Sequence, residues 1–281
     1  MVRKRVPVLG IPIDAVSRRE ALDRIETFVQ SGLPNQIATV NPEFVIAAQQ
    51  HKTFKHALKD SELNVADGIG IRAAATFLRL KRPNWLPAKQ IIGIIQGLGI
   101  GLAQLLQHPS LTNPLPETVT GIELLNQIVF RASQRNWRIY LVGGEPEVAK
   151  KVARILTEQY PSLIIVGAEE GISQSAPTNS TKDLVDRIRN TKPDILFVAF
   201  GAPKQDLFIA KNKSELGVPV MIGIGGAFDF LTGRVKRSPA WMQRIGLEWL
   251  WRLIVQPWRW HRILTATIVF PWRIYLSAMK Q

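Results

Sequence analysis

One carboxylate in this chain stands where a catalytic base would be sought. Asp67 follows the short apolar stretch Asn64-Val65-Ala66 and precedes Gly68 and a helical pattern from Ile69 to about Leu80. It therefore closes a strand and opens a helix. Open α/β sheets bind ligands outside the carboxyl ends of their strands, and a carboxylate there can take a proton from a bound hydroxyl. An Asp-Gly pair also makes an ordinary turn, and the local sequence leaves both readings open.

Other strand ends offer matching chemistry. Thr39-Val-Asn41, Gly201-Ala-Pro-Lys204-Gln205 and Gly223-Ile-Gly225-Gly226 each follow an apolar run, and Gly143-Gly144 is a fifth such turn. Glycine lets backbone N–H groups approach an anionic ligand, and a following helix N-terminus adds partial positive charge. None of these turns spells the dinucleotide fingerprint, and neither a nucleophile elbow nor a Walker loop occurs. No DxD pair is present to hold a divalent metal on a diphosphate, and His51, His56, His108 and His261 form no ligand cluster. No metal and no cofactor is expected, so a diphosphate handled here would have to be neutralised by arginine.

The elements that position these turns alternate. Ile195 to Phe200 is a continuous apolar run, as in a strand covered on both faces. Pro203 suits the first turn of the next helix. Ser17-Arg-Arg-Glu20 and Thr120-Gly-Ile-Glu123 read as capping boxes. Asn41-Pro42 supplies a helix cap and first residue. Further strands are expected at Gln36–Val40, Arg138–Val142, Leu163–Val166 and Val220–Ile224, with helices between them. Strand–helix alternation with short connections gives an α/β fold: a Rossmann-like parallel sheet with helices on both faces.

Two stretches depart from this rhythm. Residues 82–113 are rich in Pro, Gly, Ile and Leu, with no charge from Ile91 to Leu106 and with Gly93, Gly97 and Gly101 at four-residue spacing. A packed hairpin and an interfacial helix both fit. From Arg234 onward, nine Lys or Arg face the single Glu248, and six of the eight tryptophans lie there. This C-terminal helical appendage suits an anionic lipid surface or a nucleic-acid backbone. The expected division is a core over 1–233 and a basic, Trp-rich helical appendage over 234–281; the resemblance set out below makes the apolar stretch at about 82–113 an insertion and the appendage a membrane-docking one.

Composition narrows the class. The chain has 281 residues, 46% hydrophobic and 21% charged, a net charge of +14 and no cysteine. That is globular usage, without disulfides or thiolate metal sites, and comfortable in a reducing compartment. The basic N-terminus has no apolar core of a secretory signal, and no run reaches the ~18 uninterrupted apolar residues of a spanning helix. A cytosolic location is expected.

Eight short motifs in order then carry a resemblance. Thr39-Val-Asn-Pro-Glu43, Ala66-Asp-Gly-Ile-Gly70, Gly121-Ile-Glu123, Tyr140-Leu-Val-Gly-Gly144 and Gly201-Ala-Pro-Lys-Gln205 come first. Gly225-Gly-Ala-Phe-Asp229, Arg237-Ser-Pro-Ala-Trp241 and Gly246-Leu-Glu-Trp-Leu-Trp-Arg252 complete the set. Together they resemble the WecG/TagA/CpsF glycosyltransferases over nearly the whole chain outside residues 82–113. The resemblance implies metal-independent, inverting transfer of a hexose of the N-acetylmannosamine type. The donor would be a UDP-sugar, the acceptor a polyprenyl-diphosphate-linked sugar, and the product a cell-envelope polysaccharide.

It further implies Asp67 as base, with Thr39, Asn41 and Gln205 in the same pocket. Arg252, Arg259 and Arg262 would hold the diphosphate. Gly68, Gly143, Gly144, Lys204, Gly225 and Gly226 are the turn residues expected against substrate. The chain departs from the family at Thr118, where an arginine is usual, and at Glu123, where aspartate is usual. The implied partners are the two substrates and an anionic membrane surface at the inner face of the cell membrane. A homo-oligomer is compatible and nucleic acid is not expected. The alternatives are a membrane-docked, non-catalytic family member and a basic nucleic-acid-binding protein.

Overall fold

The computed structural model describes residues 4–105, 113–171, 179–236, 238–239, 241–242 and 247–280. Its centre is a six-stranded, wholly parallel sheet in the order β4-β3-β8-β7-β5-β6. The strands are β3 (Asn35–Val40), β4 (Leu63–Ala66), β5 (Arg138–Gly143), β6 (Ile164–Glu169), β7 (Ile195–Ala199) and β8 (Val220–Gly223). An antiparallel hairpin, β1 (Arg5–Val8) with β2 (Ile11–Asp14), lies outside this sheet. The sequence analysis did not foresee the hairpin, whose strands are only four residues long.

The unbroken apolar strands follow from burial on both faces. Ile37, Leu141, Phe197 and Ile222 point into a cluster beneath α1 (Arg18–Ser31), α6 (Gly121–Arg135) and α7 (Val148–Gln159). Leu196, Val198 and Met221 point the other way, toward α8 (Asn179–Asn190) and α9 (Lys204–Leu216). Ala38, Val40 and Ala66 share that second face with α2 (Pro42–Gln50), α3 (Lys52–Asp60) and α4 (Ile69–Arg79).

Helix starts follow the local chemistry. Ser17 and Glu20 form the reciprocal capping box of α1, each satisfying a backbone donor the helix cannot. The Asn41 side chain accepts from the Phe44 backbone N–H at 3.1 Å to cap α2, with Pro42 behind it. At α6 only half the expected box forms. Thr120 accepts from the Glu123 N–H, whereas the Glu123 carboxylate pairs with Arg18 at 3.6 Å.

Residues 86–105 form one helix, α5 (Leu86–Leu105), and not a hairpin within that range; residues 106–112 lie outside the described residues. The C-terminal segment is helical as expected. A short α10 (Ala227–Leu231) precedes α11 (Glu248–Val255), a 3-10 turn at Pro257–Arg259 and α12 (Trp260–Leu264). A π-helical turn, Thr265–Val269, then leads into α13 (Phe270–Met279). The helix expected from Ser238-Pro239 falls partly on Arg237, Ala240 and 243–246, outside the described residues. Phe270, Ile274 and Ala278, four apart, are buried against the cluster that holds Val40, Ala74 and Phe77. Helix α13 is thus packed into the core's second layer.

Candidate active site

The parallel strands all end on one edge, and that edge opens into a cleft of about 770 Å³. Strand β3 delivers Thr39 and Asn41, β4 delivers Asp67, and β7 delivers the Gly201–Gln205 turn. Strand β8 delivers Gly225 and Gly226, and β5 delivers Gly144. From the C-terminal segment come Arg252, Gln256, Arg259 and Arg262. Of the residues singled out from sequence, Gly68 and Gly143 stand outside the lining.

Gly143 is held by packing instead. Its φ is +110°, and a Cβ there would lie 2.7 Å from the Ala199 backbone, so the glycine lets β5 and β7 close together at their ends. Gly225 differs, with φ +54° and nothing within 4 Å of a Cβ. Its backbone N–H is already engaged, donating to the Gln205 side-chain oxygen at 2.9 Å. Gln205 is itself buried, so it fixes the shape of the glycine turn from the adjoining helix start. Thr39 is tied similarly, its hydroxyl donating to the Gly223 carbonyl at 3.3 Å. The backbone N–H of Asp67 donates to the Val40 carbonyl at 2.8 Å, anchoring the β4 end against the β3 end.

The positive side of the cleft comes from the C-terminal helices. Arg262 Nε reaches Glu43 Oε2 at 2.6 Å, joining α12 to the first turn of α2 beside Asn41. Arg252 lies over the Phe230 ring with its guanidinium carbon 5.5 Å from the centroid. Burial, then the nearby charges of Arg262 and Arg252, lower the pKa of Arg259 from its ordinary value. Three guanidinium groups that raise one another's energy in this way are suited to an anion.

Sequence reasoning missed several residues of the cleft. Thr120, Glu170, Asp229 and Phe230 line it, and Glu145 beside them pairs with Arg234 at 2.5 Å. Phe230 and Asp229 follow the Gly225-Gly226 turn directly, so their place could have been taken from α10 starting at a strand end. Glu170 carried no such signal. Asp206, next to Gln205, is fully buried and sits behind the cleft. Among the described residues no group of three or more His, Asp or Glu is placed to hold a metal ion.

Comparison with known proteins places the chain in a family. The model of the "Glycosyl transferase WecG/TagA/CpsF family" matches residues 6–92 and 94–281. A Bacillus subtilis (strain 168) protein named N-acetylglucosaminyldiphosphoundecaprenol N-acetyl-beta-D-mannosaminyltransferase is 30% identical over 229 residues, covering 82% of this chain and 75% of the relative. A Staphylococcus aureus (strain NCTC 8325 / PS 47) protein of the same name is 26% identical over 280 residues, 98% of this chain and 94% of the relative. A third of that name, from Bacillus spizizenii (strain ATCC 23059 / NRRL B-14472 / W23), is 27% identical over 229 residues, 82% and 74% of the two chains. The chain belongs to the WecG/TagA/CpsF family and is a glycosyltransferase.

Proposed function

We propose that the enzyme moves a hexose of the N-acetylmannosamine type from a UDP donor onto a polyprenyl-diphosphate-linked N-acetylglucosamine, with inversion and without a metal ion. The observation that supports this most is the meeting of Asp67 with Arg252, Arg259 and Arg262 in one cleft. A carboxylate for the acceptor hydroxyl and a triad of cations for a diphosphate are the two groups such a transfer needs. The relatives' name specifies a mannosaminyl group transferred to a diphosphoundecaprenol-linked sugar, which matches that pair.

In this reading Asp67 takes the proton from the acceptor hydroxyl as its oxygen bonds to the donor's anomeric carbon. The bond from that carbon to the UDP oxygen breaks on the opposite face, and UDP leaves with the electron pair, so the configuration inverts. The Gly144 and Gly225-Gly226 turns, with Lys204 at the start of α9, face the donor phosphates. Thr39 and Gln205 act through the backbone they brace, and the three arginines bind the acceptor's diphosphate. The product would feed a cell-envelope polysaccharide.

The test is transfer from UDP-N-acetylmannosamine to a polyprenyl-diphosphate-N-acetylglucosamine acceptor, by the parent chain and by Asp67→Asn. The variant should lose roughly 100-fold or more in kcat, the usual scale for a general base, with donor binding nearly unchanged. A folded variant with near-parental kcat would remove Asp67 from the mechanism. A parent that binds neither substrate would remove the substrate assignment.

A further inference from the structure

Helix α5 carries a broad apolar surface that the cleft does not use. Ile91, Ile94, Ile95, Leu98 and Leu102 are each more than half exposed, and Gly99 and Gly101 among them are open as well. At about 100° per residue these positions sweep roughly 160° of the helix circumference. Lys89 is the single charged residue in the helix. By length and composition, Leu86–Ala103 is the one stretch among the described residues that could cross a membrane.

The remaining arc of α5 is committed to the protein. A Cβ on Gly93 would meet Met279 at 2.7 Å and Tyr275 at 3.2 Å on α13, and one on Gly97 would lie 3.8 Å from Phe77 of α4. Crossing a bilayer would drag α4 and α13 in with it, so the helix can only lie flat. A seam for one partner helix is narrow, two positions in seven, whereas hydrocarbon wets every apolar side chain that enters it. The borders of the face fit a membrane too. Trp85 is 72% exposed at the start of α5 between Lys81 and Lys89, and the neighbouring α13 exposes Trp272 and Leu276 beside Arg273 and Lys280. Tryptophan and basic side chains around an apolar face are the mark of a headgroup boundary.

We propose that α5 inserts flat into one leaflet of an anionic bilayer and forms, with the exposed side of α13, a single apolar keel under the enzyme. This rests on the reading of the acceptor as lipid-linked. It gives that acceptor a route: α4 starts beside Asp67 and meets α5 through Phe77, so one helix of eleven residues, about 16 Å long, runs from the cleft to the inner side of α5, whose outer side is the keel.

The chain has no cysteine, so single cysteines report single positions in the full protein. Leu98→Cys on the keel and Glu158→Cys on α7, across the sheet, are labelled with an environment-sensitive fluorophore. Each is mixed with phosphatidylglycerol–phosphatidylcholine vesicles that contain no polyprenyl lipid. The label at position 98 should shift to the blue and be quenched by nitroxide-bearing acyl chains. It should stay so in about 1 M salt, where screening reaches within about 3 Å, while the label at 158 stays water-exposed. Co-sedimentation with an unchanged label at 98 would overturn the proposal and leave docking to the C-terminal arginines. A label at 98 already blue-shifted without vesicles, in a self-associated chain, would also overturn it by assigning the face to a second copy. No sugar is present in this assay, so insertion and transfer can fail independently.

Discussion

Asp206 makes a quantitative test of how the cleft is built. It is the third residue after the cis Ala202–Pro203 bond closes, inside the first turn of α9, and its exposure is 0%. Among the described residues neither of its carboxylate oxygens accepts a well-formed hydrogen bond, and the two nearest donors, the Gln205 amide and its own N–H, are poorly placed. Burial pushes its pKa up from 3.8 to about 7, and the Gln205 amide and its own backbone N–H offset only part of that. Between these two values the folded chain holds a proton that the unfolded chain has lost. Stability therefore falls as pH rises from about 4 to about 7 and stays at the lower level above that. The whole window, 3.8 to about 7, corresponds to roughly 4 kcal/mol.

Asp206→Asn keeps the volume and removes the charge. At about pH 8 the variant should be more stable than the parent by roughly 3–4 kcal/mol, the lower figure allowing about 1 kcal/mol for the lost attraction of a carboxylate to a helix N-terminus. At about pH 4.5 the advantage should shrink to about 1 kcal/mol or less, because the parent is then protonated when folded. Urea denaturation of both full chains in a neutral detergent, across this range, reads the difference. Other titrating groups shift both curves together and cancel. Two stability curves that run parallel from about pH 4.5 to pH 8 would refute the reasoning, since Asp206 would then have a partner or water to carry its charge.

The remaining expectations concern the cleft. Gly143→Ala should destabilise by roughly 2–4 kcal/mol, since its Cβ would stand 2.7 Å from backbone at φ +110°; Gly225→Ala should cost about 1 kcal/mol, having open space. Equal melting shifts for the two would undo that distinction. Arg259→Ala should raise the KM for the lipid-linked acceptor tenfold or more, about 1.4 kcal/mol, and leave the donor's KM within a factor of about two; a donor effect of equal size would move the arginines to the UDP. Transfer should persist in excess chelator, and activity restored only by added magnesium or manganese would sink the idea that arginine alone neutralises the diphosphate.

Much of the fold could be read from sequence because single residues carried it. Ser17, Asn41-Pro42 and Thr120 each mark a helix start with a bond the structure contains. The run Ile195–Ala199 is buried on both faces, so it had no alternation to mislead. The hairpin Arg5–Asp14 was illegible because its Leu9-Gly10 turn lies between two strands of four residues, one with Pro7 and the other with Pro12. Helix α3 was missed for a different reason. Its start at His51 has no side-chain cap, and it follows α2 after a single residue. In α5, glycine spacing allowed a hairpin, and what decides for a helix is contact: Gly93 against Met279 and Tyr275, far along the chain.

The candidate cleft's lining was legible in its parts and not in what holds it together. Strand ends could be lined up because a parallel sheet brings every carboxyl end to one edge. Distance along the chain hides the rest. Arg262 lies 219 residues from Glu43, yet the pair at 2.6 Å fastens the C-terminal helices to the end of β3. An exposed pair of that kind adds at most about 1 kcal/mol, while burial and then the charges of Arg262 and Arg252 lower the pKa of Arg259. The restraint comes instead from Phe270, Ile274 and Ala278, buried beside Phe77 and Ala74 in the core's second layer. Apolar burial contributes roughly 1.5–3 kcal/mol for each large side chain, more than the exposed pair does. The three cations are thus gathered by the fold itself, and the diphosphate proposed to bind them would meet charge already in place. That ordering implies that trimming the chain before Phe270 would cost the arginines their positions as well as the core its packing, even with Arg252, Arg259 and Arg262 still present.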